Sequence, residues 1–258
     1  MCKYYFCTLA FVLLTFFPLQ SSCETLILES FHYPPYLYKE NDIQGAVAEI
    51  VEVIFEETSH DVHFEFYPMK RAITTYSNDL HNRIIVRAKG SFINENMEEH
   101  SVYIPLFNVR WAFLIRVDST DIKDLEDLKG RSIGELRGSN NIEIFRKHSK
   151  RVHEVSSHES IIKMLKIGRV DVMSSLDLTL LDIVGRHFPL QKDMFKLSTY
   201  KKYDPLVLVI DKNNHQMIAF LQNRVRQLIE NGTIKQILEK YYNGAVPPNI
   251  LLTVDDIE

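Results

Sequence analysis

Cysteine is scarce in this chain of 258 residues, and its three cysteines, Cys2, Cys7 and Cys23, all lie in or beside an apolar N-terminal segment. The rest of the sequence offers no cysteine pair, which excludes a structural disulfide and a thiolate metal site there. It also lacks a cysteine nucleophile, a Gly-x-Ser-x-Gly motif and a phosphate-binding loop. These absences remove the motif-based grounds for a thiol enzyme, a serine hydrolase or a nucleotide-binding enzyme.

Neither sign of charge dominates the sequence. The formal net charge is −4, and there is no long run of one sign, no low-complexity segment and no internal repeat. Nucleic-acid-binding proteins usually present a basic face, so we expect no nucleic-acid partner. A hydrophobic content of 45% and a charged content of 25% are typical of a globular protein with a substantial core. The length allows one large domain or two small ones.

The N-terminal segment has the order of charge, apolar core and small residues that a secretory signal requires. Lys3 supplies one positive charge, residues 4–17 are almost all apolar, and Pro18 ends the run, which is short for a membrane span. We therefore predict a signal peptide over residues 1–23 and a periplasmic or extracellular mature chain of net charge −5. Two alternatives are an uncleaved anchor and a lipoprotein attached through Cys23, although Gln20 stands where a lipoprotein signal has an aliphatic residue.

Strand-like apolar runs alternate with helical patterns through the mature chain. The predicted strands are 25–30, 62–67, 83–88, 109–116, 131–135, one from Val170, and 206–210. The predicted helices are 46–57, 70–80, 160–167, 178–184, 217–231 and 234–241. This βαβα order favours an α/β sheet with largely parallel strands. The tail from Asn243 contains Pro247 and Pro248, and we expect it to lie along the surface.

The segment 124–141 contains a short helical turn that ends at Gly130, then a strand, then a loop with Gly138 and Ser139 that opens a helix. The first backbone N–H groups of a helix have no intrahelical partner, and they favour an anionic group. Arg137 adds positive charge beside them. The loop Arg137, Gly138, Ser139 is therefore a predicted anion site.

A second pattern, in residues 160–173, is a helix that Gly168 ends and a strand follows. Together with the run from Gly232 to Tyr242, this order resembles the extracellular solute-binding proteins of the polar-amino-acid type, family 3. The resemblance implies a two-lobed α/β periplasmic-binding-protein-like fold of type II, each lobe a mixed sheet flanked by helices, with two crossover segments as the hinge. It assigns residues 24–108 and 204–258, including the C-terminal tail, to lobe one and residues 109–203 to lobe two.

The resemblance also implies a ligand site in the cleft between the lobes. Tyr33 and Tyr36 flank Pro34 and Pro35 in a loop where the family places an aromatic ring over its ligand. Alternatively, the two tyrosines pack against these prolines as anchors of the loop. Arg71 stands in a stretch that resembles a proline-aromatic-basic motif of some members. Its planar fork suits a carboxylate, and the alternative is an ordinary arginine on a helix surface.

Two further positions have a ligand-binding and an ordinary interpretation. Arg87 ends a predicted strand, at the sheet edge where α/β proteins bind ligands, or is simply exposed to solvent. Asp177 comes one residue after the position at which the family pairs the ligand amine, and it is alternatively the N-cap of the helix 178–184. The arginine that holds the ligand carboxylate in the family has Asn96 in its place, nine residues before Pro105. The resemblance therefore does not predict an ordinary α-amino acid as the ligand.

These expectations combine into an exported protein that captures a small polar molecule, in most such proteins for an ABC-type permease. We expect a monomer with no catalytic residue, no cofactor and no metal, since His60 and His63 lack a third ligand in the sequence around them. Two alternatives stay open. One is a cyclohexadienyl-dehydratase-like enzyme that uses an acid among Glu95, Glu98 and Glu99, and the other is a sensory module that docks on a membrane receptor.

Overall fold

The computed structural model describes residues 25–68, 71, 83–92 and 95–257, with the backbone alone at residues 91, 92, 95 and 96. The predicted signal peptide, the predicted helix 70–80 apart from Arg71, and the side chains of Glu95 and Asn96 lie outside these described parts. None of the helices within the described ranges has the length and apolar character that a membrane span requires.

The described residues form one long mixed sheet and a small hairpin. The strands are β1 (Thr25–Ser30), β2 (Tyr38–Lys39), β3 (Ile43–Gln44), β4 (Asp61–Phe66), β5 (Arg83–Ala88), β6 (Ser101–Arg116), β7 (Ser132–Leu136), β8 (Arg151–Val155), β9 (Val172–Leu176), β10 (Phe195–Leu197) and β11 (Lys202–Asp211). The order is β4-β1-β5-β11-β6-β9-β7-β8, with β10 beside β6 and with β2–β3 as the hairpin.

Parallel pairing is confined to the two ends of this sheet. The strands β4, β1 and β5 pair in parallel, as do β9, β7 and β8, whereas β11 and β6 run antiparallel to all their neighbours. The expectation of a largely parallel sheet is therefore wrong at the centre. The mixed sheet that the resemblance implied for each lobe is confirmed.

Eight helices accompany the sheet within the described ranges. They are α1 (Ala46–Phe55), α2 (Lys89–Phe92), α3 (Glu95–His100), α4 (Asn141–His148), α5 (His158–Lys166), α6 (Asp177–His187), α7 (His215–Glu230) and α8 (Thr233–Tyr241). Helix α1 ends two residues earlier than predicted. The N–H and the hydroxyl of Thr58 both donate to the Phe55 carbonyl, at 3.0 and 2.9 Å. These bonds replace the next helical ones and stop α1 at Phe55.

Strand β6 passes through both lobes. Its first part, up to Trp111, pairs with β11, and its last part, from Trp111 onward, pairs with β9. Trp111 is therefore the partner of Lys202 on one side and of Leu176 on the other. The predicted boundaries between residues 108 and 109 and between 203 and 204 lie beside this passage, and they stay a proposal.

The sequence prediction missed the first part of β6 because Pro105 lies within it. The register shifts beside Pro105, since Val207 pairs with Pro105 whereas Leu206 pairs with Phe107. Leu106 is the extra residue of this bulge. A bulge interrupts the ladder, so a proline without an N–H is tolerated there.

The hydrophobic cores lie on separate sides of the passage. In lobe one, α1, α7 and α8 cover the sheet with buried side chains such as Ile54, Leu221 and Leu238. In lobe two, α5 and α6 cover one face of the sheet and α4 covers the other. This arrangement is the two-lobed α/β fold that the resemblance implied.

The C-terminal tail is attached to lobe one rather than lying loosely on its surface. Ile250 and Ile257, in two short 3-10 turns, are buried in the lobe-one core. Burial of one such side chain stabilises a fold by about 1.5–3 kcal/mol. The surface expectation is therefore wrong for these two residues.

Gly134 offers a test of how β7 packs against α5. A Cβ at this position would lie 2.3 Å from Cγ2 of Ile161, which is fully buried. We expect Gly134→Ala to lower the free energy of unfolding by about 1–3 kcal/mol, because the added methyl group overpacks the contact between β7 and α5. Urea denaturation measures this change.

The matched control is Gly185→Ala in α6, where an added Cβ has no neighbour within 4 Å. This variant should keep the stability of the protein or raise it by up to about 1 kcal/mol, since alanine favours helix over glycine. Equal destabilisation by the two variants would contradict the packing of Gly134 against Ile161.

Candidate functional site

A cleft of about 540 Å³ separates the two lobes at the C-terminal ends of their parallel strands. We call it the interlobe cleft. Lobe one contributes residues at or just after the ends of β1 and β4, and lobe two contributes residues at or just after the ends of β7 and β8. The lining residues are Phe31, His32, Phe66, Tyr67, Pro68, Leu136, Arg137 and Ser156.

Arg137 is the predicted site residue that lines this cleft. Its N–H donates to the Val155 carbonyl at 2.9 Å, which extends the β7–β8 pairing to the cleft edge. Gly138 then turns the chain with a φ of +93°, a conformation that favours glycine. The Arg137 side chain is exposed and makes no ion pair within the described parts of the chain. Arg137 is therefore a cation available to a ligand.

Ser139, by contrast, is buried and engaged by its own chain. Its hydroxyl accepts the N–H of Asn141, the first residue of α4, at 3.2 Å. The carboxyl group of Glu135 lies close to this hydroxyl. The predicted anion site thus contains a carboxyl group of the protein, and this geometry favours a local role of Ser139 at the start of α4 over ligand contact.

The sequence pattern did not indicate a special role for Glu135, because a single polar residue in a short strand is usually exposed to solvent. It is 3% exposed, and its Oε1 accepts the Leu136 N–H at 3.1 Å. Burial raises the pKa of Glu135 to about 8, although the bond from the Leu136 N–H and the nearby Ser139 and Ser174 hydroxyls oppose the shift. Glu135 is therefore largely protonated at neutral pH.

Tyr33 crosses from lobe one to lobe two. Its hydroxyl lies 2.7 Å from the Ser175 hydroxyl, which lies 3.2 Å from Nε2 of His158. The Tyr33 ring also meets the His158 ring edge-on, with centroids 5.6 Å apart. Burial lowers the pKa of His158 to about 4, so this imidazole is neutral at physiological pH. The sequence indicated Tyr33 but neither of its partners, because their burial depends on the contact between lobes.

Tyr36 and Arg87 lie deeper than the cleft, around an inner cavity of only about 20 Å³. The Tyr36 ring stacks on Phe107 with centroids 6.0 Å apart. Arg87 is 2% exposed, and its Nη1 donates to Sδ of Met97 at 3.4 Å. The alternative interpretation, in which Arg87 is exposed to solvent, is therefore wrong. In this closed arrangement neither side chain lines the cleft.

Asp177 is paired within the protein. It begins α6, its Oδ1 accepts the Leu178 N–H at 2.7 Å, and its Oδ2 lies 2.6 Å from Nη2 of Arg110. Burial raises the pKa of Asp177, and the Arg110 guanidinium opposes this shift. The hydroxyl of Tyr36 lies near the same carboxylate, but its geometry does not complete a hydrogen bond in the described structure. The helix begins one residue earlier than predicted, so Asp177 is its first residue and Leu176, not Asp177, is the N-cap.

Arg186 of α6 joins the lobes a second time, on the outside. Its Nη1 lies 2.9 Å from Oε1 of Glu40, and its guanidinium lies over the Tyr38 ring, 5.0 Å from the centroid. Glu40 and Tyr38 belong to the β2–β3 hairpin region of lobe one, whereas Arg186 belongs to lobe two. This contact and the Tyr33–Ser175 contact join the two lobes.

Comparison with known proteins identifies the family. Residues 30–244 match the model of the bacterial extracellular solute-binding proteins, family 3. The chain belongs to this family. The probable amino-acid-binding protein YxeM of Bacillus subtilis (strain 168) is 25% identical over 226 residues, which cover 81% of this chain and 80% of that protein.

Solved structures of similar proteins share the two-lobed fold of this chain. An ancestral arginine-binding protein bound to arginine is 20% identical, with 84% of this chain and 98% of that chain covered and a TM-score of 0.71. A structure from work on glutathione import through GshT and the cystine ABC importer TcyBC of Streptococcus mutans is 17% identical. The match covers 91% of this chain and 99% of that chain, with a TM-score of 0.75.

Among the remaining predicted residues, Arg71 lies beside the interlobe cleft, whereas His60 and His63 are not among the residues that line it. Arg71 is exposed, and its guanidinium carbon lies 5.0 Å from the ring centroid of Tyr67, which lines the cleft. His60 stacks on Phe220, whereas Nε2 of His63 lies 3.0 Å from Asp61, so the two histidines have different partners.

The raised pKa of Glu135 predicts a pH-dependent stability. The folded protein keeps this proton up to about pH 8, whereas the unfolded chain releases it near the ordinary pKa of about 4.3. Within this window, Glu135 makes the free energy of unfolding fall by about 1.4 kcal/mol for each rise of one pH unit. Glu135→Gln should remove this contribution, and denaturation at several pH values from 5 to 8 measures it.

Glu154→Gln is the matched control, since Glu154 is the neighbour of Glu135 in the β7–β8 ladder. Glu154 is partly exposed and pairs with Arg146. Its replacement should leave the slope of stability against pH unchanged. The same slope in the Glu135→Gln variant and the unmodified protein would show that Glu135 is ionised in the folded state.

Proposed function

We propose that this protein captures a small polar ligand with a carboxylate group in the interlobe cleft and delivers it to an ABC-type importer. The observation that carries the proposal is Arg137, an available cation in a cleft of about 540 Å³. Among the described residues that line the cleft, none is acidic, so nothing there competes with an anionic ligand for Arg137.

The walls of the cleft suggest the rest of the ligand. Phe31, Phe66 and Tyr67 present aromatic surface on the lobe-one side. The cation–π contact of Arg71 with Tyr67 adds positive charge beside this surface. A carboxylate on Arg137 and a planar or apolar part against the aromatic rings would use both features.

The contacts between the lobes support capture by closure. The bonds from Tyr33 to Ser175 and from Arg186 to Glu40 exist only when the lobes meet. A ligand that touches both walls adds to these contacts and favours the closed form. Delivery to an importer rests on the family and on the ABC importers named for its structural neighbours.

The ligand class is broader than α-amino acids. In this chain Asp177 is neutralised by Arg110, and Asn96 takes the place of the arginine that the family uses for the carboxylate. YxeM carries an amino-acid-binding name, and its 25% identity leaves room for a different ligand here. We expect organic acids to bind at least as well as ordinary α-amino acids.

The enzyme and sensory alternatives receive no specific support. Glu98 and Glu99 are exposed and are not among the residues that line the cleft. An absorbance assay with prephenate-like or arogenate-like compounds separates binding from dehydration. A binding protein leaves these compounds unchanged, whereas product formation would favour the enzyme.

Replacement of Arg137 tests the proposal. A thermal-shift panel of amino acids, organic acids, polyamines and small sugars should show its largest shifts with carboxylates. For the strongest of these, Arg137→Ala should weaken binding by about 10- to 100-fold, the loss of one charge-assisted contact. Titration calorimetry measures the affinity.

The control for this test is Arg146→Ala, which removes an arginine of α4 that pairs with Glu143 and Glu154. It changes the net charge equally and should leave affinity unchanged. An unchanged affinity in Arg137→Ala, or an equal loss in both variants, would contradict a specific carboxylate contact at Arg137.

A further inference from the structure

Exposed apolar side chains gather at one end of lobe two. In the described part of the chain six large hydrophobic side chains are exposed, and four of them lie here: Val117, Ile167, Leu190 and Met194, exposed by 54%, 63%, 91% and 39%. We call this group the apolar pole. The other two are Ile144 and Leu181.

Backbone bonds bring the members of the apolar pole together. The Val117 N–H donates to the Met194 carbonyl at 2.9 Å, which joins the end of β6 to the 3-10 turn that carries Leu190. Nη1 of Arg116 donates to the carbonyls of Leu165 and Val170, at 3.1 and 3.2 Å. These bonds fix the turn that contains Ile167 beside Val117.

Basic residues neighbour the members of the apolar pole along the chain. The acidic residues nearby are partly neutralised, since Asp118 and Asp171 lie 3.8 and 3.7 Å from the Arg116 guanidinium. Asp193 is a further exposed acid of the pole. The neighbouring cations are the exposed Lys163, Lys166, Arg169 and Lys192 and the half-buried Lys196.

The two lobes differ in charge. Residues 109–203 contain 18 lysines and arginines against 13 aspartates and glutamates, a net charge of +5. The rest of the chain from residue 24 contains 11 against 21, a net charge of −10. An anionic surface therefore attracts lobe two and repels lobe one, which would turn the apolar pole toward that surface.

The apolar pole lies at the opposite end of lobe two from the cleft. It adjoins the N-terminal end of β9, where Val172 pairs with Ile115 just before Arg116 and Val117. The cleft residues Arg137 and Ser156 follow the C-terminal ends of β7 and β8. A surface that covers the pole leaves the entrance of the cleft free.

We propose that the apolar pole docks on an anionic membrane surface, with its apolar side chains in the headgroup region and its lysines on lipid phosphates. A bilayer is a fluid that accepts protruding side chains, whereas a protein partner needs a matching pocket. Leu190, exposed on nearly all sides, protrudes in this way. Lysine stems extend along the interface while their ammonium groups reach the anionic headgroups.

Vesicle sedimentation tests the proposal. All proteins carry Cys23→Ala, so that lipid attachment cannot contribute. Binding should be at least about tenfold stronger to phosphatidylglycerol-containing vesicles than to pure phosphatidylcholine, and it should fall as salt rises toward about 0.5 M. Lys166→Glu with Lys192→Glu should weaken binding by about thirtyfold. Leu190→Ser with Ile167→Ser should weaken it by about tenfold.

Matched controls come from the same lobe. Lys201→Glu with Lys202→Glu changes the net charge equally outside the pole, and Ile144→Ser with Leu181→Ser removes the other two exposed apolar side chains. Both should bind within about twofold of the parent. Absent or lipid-independent binding, or equal losses in pole and control variants, would overturn the proposal. So would light scattering that shows oligomers of the parent protein and monomers of the pole variants, since the partner would then be a second copy.

Discussion

The hydrogen-bonded passage of β6 from one lobe to the other is the constraint on which the rest of the structure depends. Because one strand belongs to both ladders, the ends of β1 and β4 face the ends of β7 and β8 across a single cleft. Pro205 of β11 pairs with Asn108 of β6, three residues before Trp111, and it offers no N–H to the ladder there.

The polar groups buried at the lobe contact have a common electrostatic character. Glu135 and His158 are held in their neutral forms by burial, and Asp177 is paired with Arg110. Neutral groups cost less free energy to bury than charged ones, and a lone buried charge would oppose closure most strongly. Reopening returns Tyr33 and Ser175 to water, which replaces their hydrogen bond. The closed form is thus held by contacts that exchange readily.

The sequence was informative where periodicity decides structure and uninformative where contact between lobes does. Helix α7 and the end of α5 at Gly168 follow from apolar spacing and glycine alone, and both were predicted. Pro105 concealed half of β6, because a bulge cannot be read from one strand without its partner. Glu135 and His158 acquire their burial and pKa shifts only when separate elements meet around them. Arg137 was predicted because a strand, a glycine turn and a helix follow one another locally.

Trp111 has a spectroscopic consequence. It is the one tryptophan of the chain, and it lies where β6 changes from one partner strand to the other. Its ring borders the inner cavity and is almost wholly buried, so the indole emission depends on packing contributed by both lobes. A rotation of one lobe against the other alters the polarity around a single fluorophore. The protein therefore carries an intrinsic optical reporter of its hinge, and rapid-mixing fluorescence can follow the opening and closing of the lobes without a label.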